Sequence, residues 1–152
     1  MIQNKNLPFG IDEAEYRLKK PETIEWLRQG APGLDIGMLE ILMRFNAIEG
    51  VTTRWCCSGH QHEGIKHSDF YIMFTVTERG YYWLEDWFRM LMTSISSMHL
   101  EMEHRVTLSK TYRLKRGDVF SEVMILKARG IKEIKVHERF LELVKTTFNV
   151  IG

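Results

Sequence analysis

The chain places a segment with a helical hydrophobic period directly after a segment that is apolar at almost every position. The segment with the helical period, Arg79–Ser97, repeats its apolar residues at i, i+3, i+4, i+7 and i+11, which predicts an amphipathic helix. The apolar segment before it, Phe70–Val76, is typical of a central strand that is covered on both faces. A chain with both elements must pack helices on a sheet. The residues that set the helical period are Leu84, Trp87, Phe88, Leu91 and Ile95.

Upstream of this pair, the sequence predicts a second strand and a helix before it. Val51–Trp55 is apolar and β-favouring, and it pairs most simply with Phe70–Val76. Asp35 is suited to cap a helix that ends near Asn46. The apolar face of that helix consists of Met38, Leu39, Leu42 and Phe45.

Downstream, the hydrophobic period changes to two and then returns to that of a helix. Met98–Leu108 alternates apolar and polar residues and predicts a half-buried strand. A basic connection, Lys110–Arg116, leads to a strand over Val119–Ala128 and a last helix over Lys132–Asn149. The predicted order is α-β-β-α-β-β-α. This order indicates an α+β fold with a largely antiparallel sheet of about four strands packed with helices.

The length of 152 residues fits a single domain. We expect residues 1–32 to form a short helical lead and residues 33–152 to form the α+β core. Within the lead we expect one or two short helices: Ile11, Ala14 and Leu18 have the spacing of one. Pro21 is suited to the first position of a second, which ends at Arg28, and Gly30 is suited to the position after its end.

The charge and the cysteine content limit the binding partners and the cellular compartments to which the chain is suited. Lys and Arg number 21 against 20 Asp and Glu, which argues against a surface that is basic overall and binds nucleic acid or membranes everywhere. No apolar run approaches the roughly 20 residues that cross a bilayer, and the amino terminus has no secretory pattern. Cys56 and Cys57 are adjacent, so we expect two free thiols in a reducing compartment. The sequence therefore predicts a cytoplasmic protein without a membrane partner.

The most chemically rich segment is Thr52–His62, which combines two thiols, three hydroxyls and two imidazoles. Its apolar lead-in ends at Ser58-Gly59, so we expect a loop just past a strand end, where backbone N–H groups meet an anion. A basic and aromatic segment farther along the chain is suited to a second wall. The predicted ligand-binding residues are Thr52, Thr53, Cys57, Ser58, Gly59, His60, Arg105, Tyr112 and Arg113.

The same segment allows other interpretations. Thiolate and imidazole groups suit zinc, although their spacing here is irregular. A cysteine beside His60 is a candidate nucleophile, and a polar turn without any ligand also fits the sequence. The candidate metal ligands are Cys57, His60, His62 and His67.

Three pieces of the sequence together resemble the methyltransferase family of wybutosine synthesis in transfer RNA. They are Gly33-Leu34-Asp35 at a helix start, Phe45-Asn46 at a helix end, and Val51–His60 with its Thr-Thr and Cys-Ser-Gly segments. The family has an arginine in the loop where this chain has His60. The resemblance implies an α+β fold and a pocket for a nucleotide-like ligand such as S-adenosylmethionine. The pocket residues that it implies are Thr52, Thr53, Cys57, Ser58 and Gly59.

Our leading hypothesis is a small protein that binds a nucleotide or nucleoside at the Cys57–His60 loop. The Cys-Ser-Gly-His segment is also similar to bacteriophage reading frames, so a viral accessory protein that sequesters a nucleotide signal is one form of this hypothesis. The alternatives are an S-adenosylmethionine-dependent enzyme of transfer RNA modification, a zinc-dependent hydrolase, and an inhibitor that binds RNA or a host protein. A homo-oligomer is compatible with each of them.

Overall fold

The computed structural model shows an α+β protein built on a four-stranded antiparallel sheet. It describes residues 11–34, 37–57, 61–62, 65–66, 70–97, 106–114, 120–129 and 134–151. The helices in this part of the chain are α1 (Glu13–Arg28), α2 (Leu39–Asn46), α3 (Glu78–Ser97) and α4 (Ile134–Ile151). The strands are β1 (Val51–Cys57), β2 (Gln61–His62), β3 (Ile65–Lys66), β4 (Phe70–Val76), β5 (Val106–Leu114) and β6 (Phe120–Ala128).

The sheet has the strand order β1-β4-β6-β5, and β2 and β3 form a separate two-stranded pair. The predicted pairing of β1 with β4 is confirmed, and β5 pairs with β6 in antiparallel orientation. The predicted fold class and element order are therefore confirmed. None of the helices that the structure describes is long and apolar enough to cross a membrane.

The hydrophobic core lies between one face of the sheet and helices α2, α3 and α4. Alternate residues of β4, from Phe70 to Val76, point into it and are at most 1% exposed. The ring of Phe45 on α2 joins the layers, with centroid distances of 4.8 Å to Phe74, 4.9 Å to Trp87 and 4.7 Å to Phe148. These edge-on contacts connect α2 to β4, α3 and α4.

The prediction that a helix begins at Pro21 is wrong, because α1 runs without interruption from Glu13 to Arg28 and contains Pro21. The helix begins after Asp12, whose side chain accepts the N–H of Glu15 at 3.0 Å. Proline removes only one backbone donor, and tertiary contacts on both sides of Pro21 hold the helix together. Its end at Arg28 is as predicted, and Gly30 follows it with φ +83°.

Two other boundaries differ from prediction. Helix α2 begins at Leu39, with Met38 at its N-cap and no side-chain cap, while Asp35 lies outside the described residues. The prediction of a connection over Lys110–Arg116 is wrong as far as Leu114, because β5 continues to that residue. All nine residues of β5 pair with β6, and this ladder overrides the local polar composition.

Gly50 and Gly80 bring the turn before β1 against the start of α3. Gly50 has φ +88°, which favours glycine, and its carbonyl accepts the N–H of Thr77 at 2.9 Å. A Cβ on Gly80 would collide with that carbonyl oxygen. The absence of side chains at both positions therefore lets α3 begin directly beside β1.

Candidate functional site

Helix α1 lies along the outer edge of β1, which is a terminal strand of the sheet. The ammonium of Lys20 donates to the carbonyl oxygen of Val51. The hydroxyl of Thr23 donates to the carbonyl oxygen of Lys19 at 3.0 Å and makes a longer contact of 3.5 Å with that of Thr53. Side chains of α1 thus occupy carbonyl groups that a further strand would otherwise take. This is one of the ways in which proteins protect a sheet edge.

The ammonium of Lys20 also holds the turn that leads from α2 into β1. Its Nζ donates to the carbonyl oxygens of Asn46 at 2.5 Å and Ile48 at 3.3 Å, in addition to that of Val51. Burial lowers the pKa of Lys20 from 10.5 to about 8, despite these acceptors. One residue of α1 therefore fixes both α2 and β1.

A buried ion pair joins α1 to β1 farther along the strand. The guanidinium of Arg54 lies 3.2 Å from Glu15, and the side chains are 12% and 4% exposed. The pairing with β4 shifts between Thr53 and Trp55, so Arg54 is the extra residue of a β-bulge. The bulge turns a charged side chain of the edge strand towards α1.

Asn46, at the end of α2, organises the first half of β1. Its side-chain amide donates to the hydroxyl of Thr53 at 2.8 Å and to the carbonyl oxygen of Leu42 at 2.7 Å. Its side-chain oxygen accepts from the hydroxyl of Thr52 at 3.2 Å and from the backbone N–H of Thr53 at 3.1 Å. Asn46 is 3% exposed, so four hydrogen bonds satisfy a buried amide.

Beyond these contacts, α1 and β1 enclose a cavity of about 330 Å³. Trp26 supplies an aromatic surface, and its indole N–H donates to the carbonyl oxygen of Pro32 at 3.3 Å. Arg54 and Cys56 contribute polar and thiol groups from β1, immediately before the Cys57–His60 segment in the chain. The lining residues are Glu22, Thr23, Trp26, Gly33, Leu34, Leu42, Thr53, Arg54 and Cys56.

The structure describes the side chains of two predicted ligand-binding residues, Thr52 and Thr53. Thr53 lines the cavity, whereas Thr52 is 0% exposed and bound to Asn46. Cys57, Tyr112 and Arg113 lie in strands, and their side chains are outside the described part of the structure. Residues Ser58, Gly59, His60 and Arg105 lie outside the described residues. The loop as a ligand site therefore stays a prediction.

The predicted zinc site also stays a prediction. His60 and His67 lie outside the described residues, and so do the side chains of Cys57 and His62. Within the ranges that the structure describes, no group of three His, Cys, Asp or Glu residues is arranged to hold a metal ion.

The contribution of α1 to the cavity was not predicted from the sequence. Glu22, Thr23 and Trp26 lie in the segment that is predicted as a short helical lead. The one local signal was Trp26, the largest aromatic residue of a helix in which most residues are polar. A single aromatic residue of this kind is common on ordinary surfaces, so this signal is weak.

No protein-family model matches the sequence, and no curated protein matches it. Among solved structures, the fold is similar to that of the PH1069 protein from Pyrococcus horikoshii, with a TM-score of 0.44. The two chains share 13% sequence identity over 91% of this chain and 97% of that chain. A likeness at this level carries no argument about function.

Proposed function

We propose that the protein binds a small ligand of the nucleoside or nucleotide class in the cavity between α1 and β1. The observation that carries this proposal is the cavity itself, with Trp26 on one side and Arg54 and Cys56 on the other. A concave, mainly apolar site with a few polar groups is the usual form of a small-molecule site.

The size and lining of the cavity favour a compact, planar ligand. Its volume of about 330 Å³ is at the lower end of the range of roughly 300–1,000 Å³ for such sites. The indole of Trp26 offers a surface on which a base can stack, and Thr23 offers a hydroxyl for a sugar or an exocyclic group. Leu34 and Leu42 add apolar contact area.

The charges around the cavity favour the uncharged part of such a ligand. The positive charge of Arg54 is balanced by Glu15 at 3.2 Å, and the negative charge of Glu22 by Lys19 at 3.3 Å. We therefore place the base and ribose in the cavity. Phosphate binding at Ser58–His60 stays a separate prediction from the sequence.

Calorimetric titration with adenosine and adenosine monophosphate tests the proposal. Replacement of Trp26 by leucine is expected to weaken binding by roughly 5- to 150-fold, since a stacked base contributes about 1–3 kcal/mol. Leu18→Ala is the matched control, because Leu18 is on the same helix, is 58% exposed and does not line the cavity. Equal affinity in wild type and Trp26→Leu would reject the cavity as the site, and failure of both compounds to bind would reject the ligand class.

A second candidate is an S-adenosylmethionine-dependent enzyme that modifies transfer RNA. It is supported by the contact between two pieces of the family resemblance, since Asn46 at the helix end holds Thr52 and Thr53 on β1. The cavity lies directly beside Thr53 and so offers a place for the adenosine part of that cofactor.

Binding of S-adenosylmethionine in the same calorimetric experiment distinguishes the candidates. The enzyme requires this compound to bind and its labelled methyl group to appear in transfer RNA. A simple binder takes up adenosine without methyl transfer. A Ser58→Ala, His60→Ala double variant tests the predicted loop, because binding to a macromolecular partner elsewhere on the surface would survive this change.

A further inference from the structure

We propose that α1 is a movable wall of the cavity, which detaches from β1 and widens the cavity for a ligand while the rest of the fold stays intact. The role in ligand entry depends on the proposed function. The motion itself depends only on how α1 is attached, and it is open to measurement in the free protein.

The attachment of α1 is mainly polar. The structure describes all residues of α1, and the one buried residue among them is Glu15, a carboxylate. Its contacts with the rest of the protein include the Glu15–Arg54 ion pair and hydrogen bonds from Lys20 and Thr23. Its apolar residues next to the core, such as Trp26 and Leu27, are only partly buried.

Helix α3, in contrast, is attached by buried apolar side chains. Its apolar stripe is almost completely removed from water, and it packs against α4 and the sheet. Detachment of α3 would expose this surface and destroy the core. The buried residues of α3 are Tyr81, Leu84, Trp87, Leu91 and Ile95.

The free energy required to detach α1 is therefore expected to be lower than that of global unfolding. Water replaces hydrogen-bond partners when polar groups separate, so each such bond contributes only modestly to the stability. None of the fully buried apolar residues of the core belongs to α1. Segments with few buried apolar contacts open locally before the whole protein unfolds.

The consequence of detachment follows from the position of α1. Glu22, Thr23 and Trp26 form its share of the cavity lining, and they move with the helix. Separation from β1 widens the cavity along the edge of the strand, where Arg54 and Cys56 also line it. A ligand that bridges Trp26 and β1 would hold the helix in place.

Hydrogen–deuterium exchange of the full chain at neutral pH tests whether α1 detaches from β1. Backbone amides of α1 beyond its first turn are expected to exchange at least about tenfold faster than those at the centre of α3. Lys20→Met removes the contacts with three carbonyl groups and is expected to accelerate exchange in α1 by about a further tenfold, with α3 unchanged. Arg17→Met is the control, because Arg17 is 80% exposed.

Three outcomes of this experiment would overturn the proposal. Equal exchange in α1 and α3 would show that α1 opens only when the protein unfolds. The same acceleration of both helices in Lys20→Met would assign Lys20 to global stability, and the same effect from Arg17→Met would show that the contacts of Lys20 are not what holds the helix.

A second arm adds adenosine at a concentration well above its measured dissociation constant. Slower exchange confined to α1 and the β1 edge supports the movable wall. Binding without any change in α1 overturns it. Failure of adenosine and its monophosphate to bind contradicts the proposed function alone, since the exchange of the free protein still decides whether α1 opens.

Discussion

Helices α1 and α3 contact the same sheet, yet they are attached to it by different forces. Helix α3 has an apolar stripe that is almost completely buried, whereas Glu15 is the one buried residue of α1. Lys20 and Thr23 bind strand carbonyl groups, and the cavity lies on the side of α1. The difference indicates that stability and the candidate ligand site are located in separate regions.

The physical basis of this separation is the response of each contact to water. A buried aromatic or aliphatic side chain contributes roughly 1.5–3 kcal/mol by leaving water, and no alternative partner replaces that contribution. A hydrogen bond that breaks is replaced by one to water, which leaves a net difference of about 1 kcal/mol. We call the sheet together with α2, α3 and α4 the aromatic core. We call the contacts between α1 and β1 the polar seam.

The largest expected effect is in the aromatic core. Phe45→Ala should lower the free energy of unfolding by about 3–5 kcal/mol, because Phe45 is fully buried against Phe74, Trp87 and Phe148. Urea unfolding followed by circular dichroism measures this. Leu18→Ala on α1 should change stability by less than about 0.5 kcal/mol. Similar losses for the two variants would contradict the comparison.

Asn46 lies where the two regions meet, and its replacement should have the next largest effect. Asn46→Ala leaves the buried groups of Thr52 and Thr53 without their partner, so we expect a loss of roughly 2–4 kcal/mol in urea unfolding. Asn46→Asp should lose at least as much, because its carboxylate would face the carbonyl oxygen of Leu42 in a buried site. A loss below about 1 kcal/mol in Asn46→Ala would argue against the network.

In the polar seam, Glu15→Ala removes the partner of the buried Arg54 guanidinium. We expect a loss of about 2 kcal/mol, which is below the 3–5 kcal/mol usual for breaking a buried pair, because detachment of α1 lets water reach Arg54. Glu13→Ala breaks an exposed pair with Arg17 and should have almost no effect in the same unfolding assay. A loss of 4 kcal/mol or more in Glu15→Ala would place α1 among the rigid elements.

The smallest expected effect is the dependence of the free energy of unfolding on pH through Lys20, a residue of the polar seam. The unfolded chain holds the proton of Lys20 up to its ordinary pKa of 10.5, whereas the folded chain releases it near pH 8. Between these pH values the unfolded state binds more protons at this residue, so the free energy of unfolding rises with pH. The stability of wild type relative to Lys20→Met, measured in urea, should therefore increase from pH 8 to 10.5. A constant or falling difference would show that burial does not lower this pKa.

The elements of the aromatic core could be predicted from local patterns. Phe70–Val76 has the predicted bounds, and the predicted helix over Arg79–Ser97 differs from α3 by one residue at its start. In these segments the secondary structure that the hydrophobic period predicts is also the one that buries the apolar residues in the folded protein. The predicted end of β5 failed, because Lys110 and the residues after it are polar and their place in the sheet depends on pairing with β6.

The candidate site could be predicted only in part. The Thr-Thr segment of β1 contributes Thr53 to the cavity lining. The places of Trp26 and Thr23 in the cavity lining were missed, because these residues precede Thr53 by 27 or more positions and lie in a helix in which most residues are polar. The network of Asn46 was also not predicted, since a side-chain amide finds its partners only after the turn between α2 and β1 has formed.

The sequence by itself determined the α+β class, the strands β1, β4 and β6 and the three helices of the core, because the periodic burial of apolar residues acts locally and repeats along the chain. Only the tertiary structure decided that α1 is one helix through Pro21, that it covers the edge of β1, and that Glu15 faces Arg54. Polar contacts between distant segments leave no periodic signal. They depend on distances of a few ångströms, which only the packed chain defines.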